Sequence, residues 1–100
     1  MKKIIILLLL LCSAAWAMSL NNLIIGKWNV TEMKGDKSFY FQAVFNNKTY
    51  IEMSGDEMRS YPYEIKNDAL CIQGQCDKVV VVSENEFYVP KQNMKFSRVK

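Results

Sequence analysis

Two cysteines, Cys71 and Cys76, enclose four residues in the stretch CIQGQC. At this spacing they could form a redox centre, half of a metal site, or a staple across a tight turn. Asp56 and Glu57 are adjacent in SGDE, with Glu52 nearby. Paired carboxylates can hydrolyse glycosidic bonds, but neighbours in a turn point apart, so a solvated hairpin turn is expected. The same SGDE does not match an EF-hand loop. The sequence has no histidine, which removes the commonest general base and the commonest zinc ligand. No serine sits in a G-x-S-x-G elbow, and no glycine-rich loop precedes a helix to cradle phosphate. The expectation is a protein that is not an enzyme and needs no cofactor or metal.

Tyrosine is the more informative residue type. Tyr40, Tyr50, Tyr61, Tyr63 and Tyr88 accompany Phe39, Phe41, Phe45, Phe87 and Phe96. A small domain needs such side chains to make a core. Strict alternation cannot bury neighbours, however. If Phe39 and Phe41 face inward, Tyr40 faces out. Tyr61-Pro62-Tyr63 reads as an irregular edge. Tyr40, Tyr61 and Tyr63 are therefore the candidate binding residues, because exposed aromatics mark contact surfaces.

The compartment follows from the N-terminus. Lys2 and Lys3 precede an apolar run, Ile4 to Leu11, and Ala15-Trp16-Ala17 has the A-x-A cleavage pattern. That is a secretory signal peptide over residues 1–17, too short to span a bilayer, which takes roughly 20 residues. Lipid attachment at Cys12 is the alternative. It is disfavoured by the large Leu11 where lipoprotein signals generally have a small residue. Cleavage after residue 17 leaves 83 of the 100 residues, one small domain over 18–100. Loss of Lys2 and Lys3 leaves 11 basic residues against 10 acidic. The charges are interspersed, so neither nucleic acid nor an anionic membrane surface is an expected partner. Stable membrane insertion after cleavage is not expected either. Two cysteines remain, an even number for an oxidising compartment. The expected location is periplasmic or secreted.

These residues must be positioned by strands. Two-residue alternation recurs, with turn signals every 8 to 12 residues. The pattern predicts eight strands: 27–33, 39–45, 49–53, 58–65, 69–72, 76–83, 86–89 and 94–99. Only SLNNLII before Gly26 could form a helical turn. Pro62 cannot donate to a ladder, which demotes its strand to an edge or a bulge. Val79 to Val82 is apolar on both faces, and an outward Val80 and Val82 would offer a dimer contact. The predicted fold class is all-β, a small antiparallel up-and-down barrel of about eight short strands.

Three motifs then resemble a known family. IIGKWNV places Gly26 two residues before Trp28 at the start of the first strand, the G-x-W signature of lipocalins. The last strand, MKFSRVK, carries Arg98 in phase with Phe96 and Met94. YEIKNDALCI looks like the hairpin of short bacterial lipocalin-like domains. The resemblance implies that Arg98 packs across Trp28 and closes one barrel end. A guanidinium over an indole face contributes roughly 0.5 to 2 kcal/mol. The chain is much shorter than a typical lipocalin and lacks the C-terminal helix, so a large calyx is not expected.

Within that frame the cysteines can be placed. The spacing is C-x4-C, not the C-x2-C of thioredoxin-like motifs or zinc ribbons. With Gln73-Gly74 as a two-residue hairpin turn, Cys71 faces Cys76 as a non-hydrogen-bonded pair. Such pairs lie roughly 4.5 Å apart at Cα, within disulfide range. A Cys71–Cys76 disulfide on the outer face is predicted, contributing roughly 2 kcal/mol by loop closure.

The resemblance implies an exported lipocalin-like binding module for an apolar or amphipathic small ligand. The alternative is a protein-interaction module of the cell envelope, an inhibitor or accessory factor that uses edge or loop aromatics.

Overall fold

The computed structural model describes residues 19–100. The expected signal peptide, its expected cleavage site and Cys12 lie outside the described residues. One helical turn, α1 (Leu20–Leu23), precedes nine strands. These are β1 (Gly26–Lys34), β2 (Lys37–Phe45), β3 (Thr49–Ser54), β4 (Glu57–Lys66), β5 (Ala69–Ile72), β6 (Gln75–Lys78), β7 (Val80–Ser83), β8 (Glu86–Val89) and β9 (Met94–Arg98). A 3-10 turn, Pro90–Gln92, joins the last two.

All pairings are antiparallel, in the order β6-β5-β4-β3-β2-β1-β9-β8-β7. The two outer strands, β6 and β7, are consecutive in sequence and joined through Val79. The edges of the sheet therefore meet, and the sheet curls into a nearly closed barrel. Among the described residues, no helix is long and apolar enough to cross a membrane.

Alternation puts one residue set inside. Trp28, Val30, Ala43, Phe45, Tyr63, Phe87, Val89 and Phe96 are buried on the inner face. Their rings interlock: Trp28 meets Phe87 edge-on at 4.6 Å, and Phe87 stacks on Phe96 at 4.4 Å. Leu20, Leu23 and Ile24 plug the end beneath them. This half of the barrel is solid, as expected when so few strands enclose aromatic side chains.

Two expectations need correction. The strand predicted over 76–83 is two strands, which makes nine rather than eight. The chain breaks at Val79, whose N–H donates to the carbonyl of Asp68. The apolar run VVVV hides this corner, because periodicity does not register a change of ladder partner. The Pro62 strand is not an edge: β4 pairs with β3 on one side and β5 on the other. Tyr63 N–H donates to Lys48 on the β3 side. Alternate N–H groups of a strand face alternate neighbours, so the Pro62 nitrogen faces the β5 side. There the ladder has already ended at the Tyr63–Ile72 pair, and the missing donor costs nothing.

Candidate functional site

The closed end is built first, by three residues. Trp28 on β1 lies opposite Arg98 on β9. The Arg98 guanidinium sits over the Trp28 ring, 4.2 Å from its centroid. It donates to the carbonyl oxygens of Leu23 (2.6 Å), Ile25 (3.0 Å) and Glu84 (2.9 and 3.1 Å). Trp28 Nε1 donates to Ile24 at 2.8 Å. Three successive carbonyls leaving α1, which no helix continues to satisfy, are thus all taken. Gly26 lets the guanidinium pass. Its φ is +131°, and a Cβ there would lie 2.7 Å from Arg98 Nη1. Gly26, Trp28 and Arg98 form a structural seal with no free functional group.

The hairpin of β5 and β6 carries the cysteines. Cys71 faces Cys76, with Cα atoms 3.9 Å apart and sulfurs 2.06 Å apart. Gln73 and Gly74 both have left-handed backbone, at φ 52° and 82°, the primed turn that matches strand twist. Leu70 and Ile72 point inward and line the barrel cavity, so the sulfurs lie on the outer face.

The opposite end of the barrel is open. A cavity of about 230 Å³ enters between the strand ends. Leu70, Ile72, Val89, Met94 and Phe96 form its apolar floor, and Tyr50 and Tyr61 form an aromatic wall. Those two rings stack at 6.4 Å with 24° between their planes. Glu32, Glu52 and Asp77 contribute carboxylates, with Gln73, Gln75 and Gln92 beside them. Asp77 is only 7% exposed. It accepts from Gln92 Nε2 at 2.9 Å and from Gln75 Nε2 at 3.2 and 3.4 Å.

Burial governs the electrostatics. It pushes the Glu52 carboxyl above its usual range, and the like charge of Glu32 adds to the shift. Burial, then Glu52, also raises the Tyr50 phenol, which is therefore neutral at physiological pH. The cations stand outside: Lys34 reaches Glu32 at 3.9 Å from an exposed position, and exposed Arg59 pairs with Glu57 at 3.4 Å. Glu57 and Asp56 are exposed in the β3–β4 turn, the solvated hairpin expected of SGDE.

The candidate tyrosines separate. Tyr40 is 72% exposed on the outer face of β2. Tyr61 lines the cavity. Tyr63 is buried against Phe45, and its hydroxyl donates to the Asn46 carbonyl. Burial also raises its phenol pKa. Its place is in the core, not on an exposed edge.

Sequence reasoning missed Glu32, Asp77 and Gln92, and took Glu52 for a solvated neighbour of a turn. The signal was alternation carried further. Glu32 continues the inward series of Trp28 and Val30. Glu52 follows Tyr50, and Asp77 precedes Val79 in the same phase. Gln92 lies in a 3-10 turn, where alternation gives no signal.

Comparisons with protein-family models, with curated proteins and with solved structures find no match to this chain.

Proposed function

We propose that the chain is an exported, non-catalytic binding module of lipocalin-like type that holds a small amphipathic ligand at the open end of its barrel. The observation that carries this reading is the cavity of about 230 Å³, with an apolar floor and polar groups above it. Concave, largely apolar sites with a few convergent polar groups are the usual form of ligand pockets. Drug-sized sites begin at roughly 300 Å³, whereas about 150 Å³ is enough for benzene. The ligand is therefore small, one ring or a short chain. The Gly26, Trp28 and Arg98 seal supports the lipocalin-like assignment, and the paired cysteines are consistent with an oxidising compartment.

The test is a backbone amide NMR titration with fatty acids, detergents and single-ring alcohols. Shifts at Leu70, Ile72 and Gln92 are expected for ligands of one ring or a short chain. A spectrum unchanged by every compound would overturn the reading.

A second reading is a protein-interaction module of the envelope. It is favoured by the exposed Met33, Phe39, Tyr40 and Met58 at the hairpin ends beside the cavity mouth. Retention of an envelope protein that Tyr40→Ala abolishes would support it over ligand binding.

A further inference from the structure

The cavity is unevenly charged. Thirteen residues line it; three are carboxylates, and none is lysine or arginine. Lys34 and Arg59 line an outer depression that shares Glu32 and Glu52 with the cavity, and Lys34 pairs with Glu32 at 3.9 Å. Asp77 is nearly fully buried, yet its donors are two neutral amides. Neutral donors orient a carboxylate without cancelling its charge, and a buried charge without a counter-ion is costly. One of its oxygens, Oδ1, accepts only the 3.4 Å bond from Gln75, which leaves capacity for another donor.

We infer that the cavity selects a small organic cation: an ammonium group on an apolar body of one ring or a short chain. This deepens the ligand-binding reading and rests on it. The apolar floor of Leu70, Val89, Met94 and Phe96 takes the body. Glu32, Glu52 and Asp77 take the charge, and the Tyr61 ring adds cation–π attraction. An anionic head group, as in a fatty acid, would meet three carboxylates. A bare metal ion fits poorly. Among the described residues, no three Asp, Glu, Cys or His side chains converge closely enough to hold one. Carboxylates spread around a wall suit an extended cation instead.

Three probes of nearly equal size separate charge from shape: phenethylamine, 2-phenylethanol and phenylacetate. Calorimetric titration of the full chain is expected to rank them in that order. The amine should bind at least ~10-fold tighter than the alcohol, since a charge-assisted hydrogen bond outweighs a neutral one. Asp77→Asn and, separately, Glu52→Gln should erase most of that preference while alcohol binding persists. Two variants on different strands guard against one that fails to fold. If the alcohol or phenylacetate binds as tightly as the amine, the cation inference is overturned while the cavity reading stands. If none of the three binds, both fall. Displacement of the amine by calcium at stoichiometric concentration would also overturn it, in favour of a metal site.

Discussion

Arg98 shows how much one side chain can hold. It covers the Trp28 ring and takes up carbonyls from the helical turn and from the β7–β8 connection. Arg98→Ala leaves those acceptors unpartnered, and each such group costs about 1–3 kcal/mol. A loss on the order of 3 kcal/mol is expected in urea unfolding. Arg98→Lys should recover little, because an ammonium lacks the planar fork. Gly26→Ala should cost about 1–3 kcal/mol from its positive φ and from the collision with Arg98. In an Arg98→Ala background the collision disappears, so the two losses should sum to more than the double variant shows. Strict additivity would contradict the contact.

Glu52 is the second residue with a clear consequence. Burial and Glu32 raise its pKa, against the opposing pull of Tyr50, Arg59 and Lys34. The folded chain therefore holds this proton more tightly than the unfolded chain. Stability falls as pH rises from the ordinary value of 4.5 through the raised one, and the loss is constant above it. Glu52→Gln is expected to raise the unfolding temperature at pH 7 and to leave it unchanged at pH 3. A lower unfolding temperature at pH 7 would contradict this account.

At the scale of elements, the β5–β6 hairpin is the one that most needs help. Each strand has four residues, and β6 lies at one end of the ladder. The disulfide fixes its register, and reduction should cost roughly 2 kcal/mol. Hydrogen exchange after reduction should quicken in β5 and β6 while β1, β2 and β9 stay protected. Uniform quickening would mean that the hairpin is not an independent unit. This element was legible in the sequence because turn and cysteines are local: Gln73-Gly74 fixes which residues face each other. The β6–β7 corner was not legible. It depends on Val79 bonding to Asp68, a partner eleven residues away, and nothing in the valine run records that.

At the scale of the whole molecule, the barrel is solid at one end and hollow at the other. The solid half was readable from Trp28, Val30, Phe45, Phe87 and Phe96, because alternating apolar residues face inward together. The hollow half was readable only in part. Glu32, Glu52 and Asp77 keep the inward phase, but a charged residue in a strand is ordinarily solvated, so alternation alone does not place them inside. Only closure of the sheet brings β1, β3 and β6 around one space. The exposed Val80 and Val82 follow the same alternation outward, which makes them controls on the outside of the same barrel.

The most direct test of a ligand-binding open end is a methyl NMR titration with phenethylamine or 2-phenylethanol. The account expects shifts at Leu70, Ile72, Val89 and Met94, with Val80, Val82, Leu20 and Leu23 unmoved. Shifts confined to Val80 and Val82, or to the sealed end at Leu20 and Leu23, would contradict it.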